Sequence, residues 1–420
     1  MALVRRHIQP QVQDALEWSR VVLIHGARQC GKTTLAQAVV ESQGGTYVSL
    51  DDQAQLQLAH DDPLSFLANQ RHPLAVDEVQ LGGDRLIRAV KQLVDAEPTP
   101  GRFLLTGSTN FLTVPTISES LAGRVQIFRL WPLSEAELAG SHPTEIGSWF
   151  DGQHRLPPAD GMARSDYLEL ACRGGYPEVV NLAPNRRRSW FRSYIETVAQ
   201  RDIASLVDIR KAAALPALLR WTAGLTSSHI NLSDAARRLE VSRPAVASYF
   251  EWLQTVFLVH ELPAWSRNLP SRPMRRPKFH ITDSGLAASL LRLDADALVS
   301  PAAPATGPLL ETFAVNEIAR QLSATEHDLT LSHYRDNQGR EVDLVLEAPN
   351  GDVAAVEIKA TRSPSLAQLN HLAWLRDKLD IVAPGSYRAG ILLHTGDQHG
   401  KIGDRLLLRP INCLWSDPTI

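Results

Sequence analysis

The sequence predicts an α/β protein that opens with a P-loop domain on a parallel sheet. Three observations predict it. Short apolar runs alternate with helical stretches between residues 21 and 130, the pattern of strands joined by crossover helices. A loop of the form G-x-x-x-x-G-K-[ST] runs from Gly26 to Thr33, between the first apolar run and the first helical stretch. A second apolar strand ends in Asp77-Glu78, 45 positions after Lys32, which puts the two motifs on separate strands of one sheet.

In chain order, residues 21–25 read as the first strand and 34–42 as a helix; 46–50, 73–76, 102–106 and 125–130 read as further strands. Residues 84–96 read as a helix with Leu86, Ile87, Val90, Leu93 and Val94 on one side. The loop glycines let backbone N–H groups close around a phosphate, and the helix that follows adds its dipole. Nucleotide contact therefore falls to Gly26, Ala27, Arg28, Gln29, Cys30, Gly31, Lys32, Thr33 and Thr34. Lys32 reaches the β- and γ-phosphates of ATP, Thr33 gives its hydroxyl to Mg2+, and Thr34 adds a phosphate contact. Cys30 reads as a small loop residue rather than a redox switch. Asp77 is placed to order the water shell of Mg2+ and Glu78 to polarise the attacking water, because phosphoryl transfer rests on positioning and charge stabilisation. Ser108, just past the strand 102–106, is a candidate sensor of the γ-phosphate. Arg124, in LAGR, is a candidate arginine finger or sensor in cis.

A chain of 420 residues exceeds one core and suggests about two to four domains. With 44% hydrophobic and 21% charged residues it has the composition of a soluble globular protein. The arginines Arg5 and Arg6 have no apolar run behind them, unlike a signal peptide, and no stretch approaches the roughly 18 apolar residues of a membrane span. Cys30, Cys172 and Cys413 are scattered and odd in number, neither a disulfide framework nor a zinc site. The expected address is the cytoplasm, with no membrane partner. Charge is unevenly placed: residues 186–280 hold 16 Lys and Arg against 7 Asp and Glu, while 1–185 hold 15 against 21 and 281–420 hold 12 against 18. A basic middle is the footprint of a polyanion partner or a set of solvated helix faces.

Residues 141–161 are rich in turn formers and break the α/β pattern. Residues 186–206 read as a long helix. Residues 231–240 read as a short helix, and Val241-Ser242-Arg243-Pro244 as a turn with Ser242 as N-cap. Residues 245–258 read as a second helix with Val246, Phe250, Leu253 and Phe257 at helical spacing. Helix, short turn, helix is a helix-turn-helix, and Arg243, Ser248 and Tyr249 are placed toward nucleic acid, DNA before RNA. Residues 257–265 and 277–282 read as a wing hairpin, with Arg267, Arg272, Arg275, Arg276 and Lys278 along it. Arg275 and Arg276 join the candidate nucleic-acid set. The other reading makes this module a lid or packing element.

At the C-terminal end, residues 309–322 read as a helix carrying Glu311, 341–346 as a strand carrying Asp343, and Asn350-Gly351 as a tight hairpin turn. Residues 353–360 return as a strand ending Glu357-Ile358-Lys359; 366–379 read as a helix and 389–394 as a last apolar strand. An Asp followed by Glu-x-Lys on hairpin strands is the PD-(D/E)XK nuclease pattern, and alternation puts Glu357 and Lys359 on one face. Asp343 and Glu357 are candidate ligands of a second Mg2+, with Glu311 nearby and Lys359 orienting the attacking water or lowering its pKa. The usual proline before the first acid is Val342 here. A solvated charged face is the competing reading.

The segments GARQCGKTT, YVSLDD, LAVDEVQ, LLTGSTNF, LAGR and RGGYPEVV follow one another in order. The chain in this respect resembles the AAA+-type ATPases of bacteria and archaea that carry a C-terminal domain of unknown function. The resemblance implies a P-loop AAA+-like ATPase domain over 1–140, a helical lid or linker over 141–225, a winged helix over 226–300 and a restriction-endonuclease-like α/β domain over 301–420. It implies Mg2+-dependent ATP binding and hydrolysis, action on or binding of nucleic acid, and a nuclease-like end. The alternative is a nucleotide-dependent switch or toxin-like protein whose C-terminal domain binds a protein partner without cutting. A homo-oligomer follows if Arg124 acts in trans. A metabolic kinase is disfavoured, since no small-substrate pocket signature follows the P-loop.

Overall fold

The structure, a computed structural model, describes residues 3–109, 121–152, 161–198, 215–267, 276–300, 303–325 and 327–417. The chain divides into two compact units, residues 1–133 with 253–258 and 323–325, and residues 134–252 with 259–322 and 326–420.

The first unit holds five parallel strands, β1 (Val21–His25), β2 (Thr46–Ser49), β3 (Leu74–Asp77), β4 (Phe103–Gly107) and β5 (Val125–Arg129), in the order β2-β3-β4-β1-β5. Strands β1, β3 and β4 are buried at every position, as a parallel sheet covered on both faces requires. Alternation divides their side chains. Leu23, Val76 and Leu105 pack with Leu86, Ile87 and Val90 of the helix Gly83–Ala96 on one face. Ile24, Ala75 and Leu104 pack with Val12 and Leu16 of the helix Gln9–Trp18 and with Leu35 and Val39 of the helix Lys32–Ser42 on the other. Each such buried aliphatic side chain contributes about 1.5–3 kcal/mol. His25 lies opposite Gly107 and Arg129, and Ser49 opposite Asp77, so the carboxyl ends of the strands form one edge. Ligands of open α/β sheets bind beyond that edge, and the P-loop leaves β1 there.

The second unit is built on a mixed sheet of β9 (Thr330–Arg335), β10 (Glu341–Glu347), β11 (Val353–Lys359), β12 (Tyr387–His394), β13 (Gly400–Lys401) and β14 (Leu406–Pro410), in the order β13-β14-β12-β11-β10-β9. Strands β9, β10 and β11 run antiparallel, and β11, β12 and β14 parallel. The expected hairpin turn joins β10 to β11, with Gly351 in the left-handed region at φ 84°. The helix Thr306–Leu322 is buried along most of its length, and the helix Asn370–Val382 seats Leu372, Leu375 and Leu379 in the core. A smaller antiparallel sheet, β6 (Ser228–His229), β8 (Lys278–Ile281) and β7 (Val259–Leu262) in that spatial order, accompanies the helices Leu232–Arg238 and Arg243–Thr255. Ser242 caps the second of these helices, accepting from the Ala245 amide at 3.3 Å.

The turn-rich stretch 141–161 carries a helix, Glu145–Asp151, because Trp149 is fully buried and its indole donates to Glu145 Oε1 at 3.0 Å. The expected helix 186–206 is Pro184–Val198 in the described residues, and 199–206 lie outside them. Among the described residues no helix is long and apolar enough to cross a membrane.

Candidate nucleotide site and a buried carboxylate cluster

The P-loop is shaped by its glycines. A Cβ on Gly26 would collide with the Leu130 carbonyl, and Gly31 takes φ 100° as it caps the helix Lys32–Ser42. Arg6 braces the loop, donating from Nη1 to the Cys30 carbonyl and from Nη2 to the Trp131 carbonyl at 2.7 Å each. Lys32 is only 4% exposed, and its ammonium donates to the carbonyls of Gly26 at 3.1 Å and Ala27 at 2.9 Å. Gln29, Thr33 and Thr34 are exposed, Arg28 is half-buried, and Ala27 and Cys30 are buried.

Asp77 ends β3 beside this loop. Its Oδ2 accepts from the Thr33 hydroxyl and the Tyr47 hydroxyl at 2.8 Å each, and its Oδ1 from the Thr106 hydroxyl. Burial, and next the Asp77 carboxylate, hold the Tyr47 phenol well above its ordinary range, so Tyr47 stays a donor. Glu78 turns into the left-handed region, φ 53° and ψ 46°, a conformation that costs a non-glycine residue about 1 kcal/mol or more and gathers at functional sites. Its amide donates to Thr106 Oγ1 at 3.2 Å, and its Oε2 accepts from Ser108 Oγ at 3.1 Å and from Gln80 Nε2. A threonine hydroxyl hydrogen-bonded to a carboxylate beside a loop of backbone amides is a hard oxygen set that suits nucleotide-bound Mg2+.

Arg124 stands elsewhere. It leads into β5, which runs parallel to β1 in register, so it lies at the amino edge of the sheet. A strand of five residues spans about 16 Å, beyond the reach of its side chain to the loop. Its guanidinium instead pairs with Asp95, Nε to Oδ1 at 2.5 Å and Nη2 to Oδ2 at 3.0 Å. The sensor-in-cis reading is corrected by this strand direction.

In the second unit, Glu311, Asp343, Glu357 and Lys359 converge as their spacing predicts, with two groups that the spacing did not reveal. Lys359 Nζ lies 2.6 Å from Glu357 Oε2 and 3.6 Å from Asp343 Oδ2. Lys278 enters from β8 with its ammonium 3.0 Å from Glu311 Oε1, 2.5 Å from Glu341 Oε1 and 3.4 Å from Asp343 Oδ1. The Ile358 amide donates to Asp343 Oδ2 at 2.9 Å. Burial pushes Glu311 up to about 8, with Asp343 adding to the shift. Burial also works to raise Asp343, but Lys278, Lys359 and the Ile358 amide together hold it below the ordinary carboxylate range. Among the described residues no three His, Cys, Asp or Glu side chains are grouped so as to hold a metal ion. Lysine nitrogens lie on oxygens of Glu311, Glu341, Asp343 and Glu357, and in this arrangement the donor set does not fit the second Mg2+.

Of the residues placed toward nucleic acid, Arg243 and Arg276 are exposed and Ser248 is half-buried. Tyr249 is corrected: it is 3% exposed and packs on Trp252 with ring centroids 5.2 Å apart. Arg275 lies outside the described residues. Sequence reasoning missed Arg6, Tyr47, Gln80, Thr106, Lys278 and Glu341. Two carried signals. Thr106 shares a strand face with Ser108 by alternation, and Lys278 opens the strand KFHI, whose four residues are all buried.

The parallel sheet, the P-loop and the Asp77-Glu78 strand end define an AAA-type P-loop ATPase-like domain, and the AAA domain family matches residues 19–139. The chain belongs to the family of the uncharacterized proteins Rv2008c of Mycobacterium tuberculosis and Mb2031c of Mycobacterium bovis. It is 31% identical to each over 393 residues, 92% of this chain and 82% of theirs. Two domains of unknown function match further along, DUF8612 over residues 164–297 and DUF4143 over residues 306–414. Among solved structures the chain aligns with AMPPCP-bound DnaA from Aquifex aeolicus at 16% identity and TM-score 0.30, over 58% of this chain and 86% of that one. It aligns with a single-residue variant of RuvB from Thermotoga maritima at 16% identity and TM-score 0.29, over 61% and 89%.

Proposed function

We propose that this protein binds ATP with Mg2+, hydrolyses it, and couples the cycle to nucleic acid. The observation that carries the reading is the paired carboxylate system at the end of β3. Asp77 is held by Thr33, Tyr47 and Thr106, and the Glu78 carboxylate by Ser108 and Gln80. In this reading Lys32 leaves the Gly26 and Ala27 carbonyls for the β- and γ-phosphates, while Thr33 and Asp77 hold Mg2+, which neutralises phosphate charge. Glu78 orients and polarises the attacking water, and Ser108 registers the γ-phosphate through the hydrogen bond it shares with Glu78. Arg124, at the amino edge of the sheet, would serve as a finger only toward a second copy of the chain. The nucleic-acid side rests on the basic stretch 186–280 and on exposed Arg243 and Arg276.

The test is ATP binding by calorimetry with and without Mg2+, then hydrolysis with and without DNA and RNA. Lys32→Ala is expected to abolish measurable ATP affinity, since Lys32 supplies the loop's main charge on the β- and γ-phosphates. Unchanged affinity would refute the site.

A second reading has an observation in its favour. Lys278 occupies the carboxylate cluster of the nuclease-like end, which supports a nucleotide-dependent switch whose C-terminal region binds a partner without cutting.

A further inference from the structure

The sheet of the second unit presents four carboxylates, Glu311, Glu341, Asp343 and Glu357, around one spot. In water such groups repel one another, and in a buried site they need cations or protons. A hydrolase of this pattern would meet that need with a divalent ion held at 2.0–2.6 Å by carboxylate oxygens. Here the need is met by the chain itself. Lys278 is 1% exposed, and its Nζ has oxygens of three of the four carboxylates, from the helix Thr306–Leu322 and from β10, within 3.4 Å. Lys359 covers Glu357 and the other oxygen of Asp343. The strand that delivers Lys278 is fastened on both sides of the residue. The Pro277 carbonyl lies 3.2 Å from His229 Nδ1, the Arg276 carbonyl lies 3.0 Å from His333 Nε2, and β8 pairs with β6 and β7. Among the described residues, a buried oxygen of the cluster has no hydrogen-bond partner: Glu357 Oε1, on a residue 2% exposed, faces His371 Nδ1 at 3.7 Å.

We propose that Lys278 is a built-in counter-cation that stands where a divalent metal would be ligated, so that the cluster binds no metal while β8 is seated. This deepens the nuclease-like reading of the C-terminal region and rests on it. An ammonium supplies one positive charge and three N–H donors but no open coordination position, so it neutralises Glu311, Glu341 and Asp343 without generating a hydroxide from water. Removing it leaves those carboxylates with an uncompensated charge that a divalent ion of oxygen-ligand preference can replace. The site then belongs to Mg2+ or Mn2+ rather than to a softer metal, since its donors are carboxylate oxygens.

The experiment uses the nucleotide-free full chain, with Asp77→Asn throughout to remove the P-loop metal site, and Mn2+ as the probe. Binding is read by the loss of the free Mn2+ paramagnetic resonance signal and by the melting temperature. The parent is expected to bind no Mn2+. Lys278→Met is expected to bind one ion, with its melting temperature rising by about 5 °C or more at about a hundredfold excess over Kd. Adding Asp343→Asn should abolish that gain. Should Lys278→Met fail to fold alone, Mn2+ is expected to restore its folding, and Lys278→Met with Glu311→Gln, carrying one charge less, supplies a second variant for the same titration. Saturable Mn2+ binding by the parent that Asp343→Asn removes would overturn the role of Lys278 while leaving the nuclease-like reading intact. Folded Lys278 variants that bind no ion would overturn both, because the cluster would then be no cation site at all.

Discussion

Glu78 illustrates how much positioning a single carboxylate receives. Its backbone is committed to the left-handed region, its amide is tied to Thr106, and its Oε2 takes bonds from Ser108 and Gln80. In the proposed mechanism Oε1 would face the attacking water. Glu78→Gln keeps the size of the side chain and removes its basicity. It is therefore expected to bind ATP as the parent does and to slow hydrolysis by at least about a hundredfold, the usual scale for a lost general base. Single-turnover hydrolysis alongside calorimetry checks this, and parental turnover in the variant would take Glu78 out of the role. The lysine, threonine and two acids of this site were legible because motif spacing on a strand-loop-helix is a local property. Tyr47 and Thr106 were not, because their bonds to Asp77 depend on the register of β2, β3 and β4, which sequence does not specify. Tyr249 was legible and misplaced. It lies three residues after Val246 and four before Leu253, which puts it on their helix face, and both of those residues are buried.

At the scale of elements, the parallel strands stood out because burial on both faces writes a continuous apolar run. The helices Gln9–Trp18, Gln53–Asp61 and Pro63–Ala68 did not, since each buries only one to three residues and leaves little periodicity to read. Strand β9 was missed for a related reason: its buried positions are Ser332, His333 and Tyr334, polar or amphipathic types that match no strand template. The two-helix and hairpin module makes its own prediction. With Tyr249 withdrawn into the core, the residues placed toward nucleic acid that remain exposed are Arg243 and Arg276. Arg243→Glu with Arg276→Glu in the full chain is expected to weaken binding to mixed-sequence DNA and to lower the slope of log affinity against log salt by about one unit for each phosphate no longer neutralised. Fluorescence anisotropy at several salt concentrations measures both. Affinity and slope that match the parent would remove Arg243 and Arg276 from the nucleic-acid interface.

For the molecule as a whole, ionisable groups buried in the second unit set its response to pH. Burial lowers His229 and His394, takes His280 well below the imidazole range, and takes His333 to about 4, with Lys278 the next cause for His333. Below about 6.5 the unfolded chain binds protons on these histidines more readily than the folded chain does, so their contribution to stability rises with pH up to that value. Four carboxyls act in the opposite sense, Glu135 and Glu357 raised by burial along with Glu311 and Glu317. Burial lifts Glu317 to about 7, with Glu135 adding to it and Arg320 opposing, and burial lifts Glu311 to about 8. The folded chain keeps these protons after the unfolded chain has lost them, so their contribution is complete below about 4.5 and is lost as pH rises through about 7 and 8. His371, raised chiefly by Glu357, adds to that decline. Below pH 6.5 the four histidines oppose the four carboxyls, and above it the carboxyls act unopposed. The second unit is therefore expected to change little in stability below pH 6.5 and to fall above it, losing up to about 1.4 kcal/mol per pH unit for each carboxyl that is protonated in the folded chain alone. Urea unfolding at pH 5, 6.5 and 8, followed by tryptophan fluorescence, reports mainly on this unit, since Trp18 and Trp131 are the two of nine tryptophans that lie in the first. Glu317→Gln imitates the protonated carboxyl and is expected to remove the loss of stability that Glu317 contributes between about pH 4.5 and about 7. A midpoint that climbs steadily from pH 5 to 8 in the parent would show that Glu311 and Glu317 are already ionised in the folded chain.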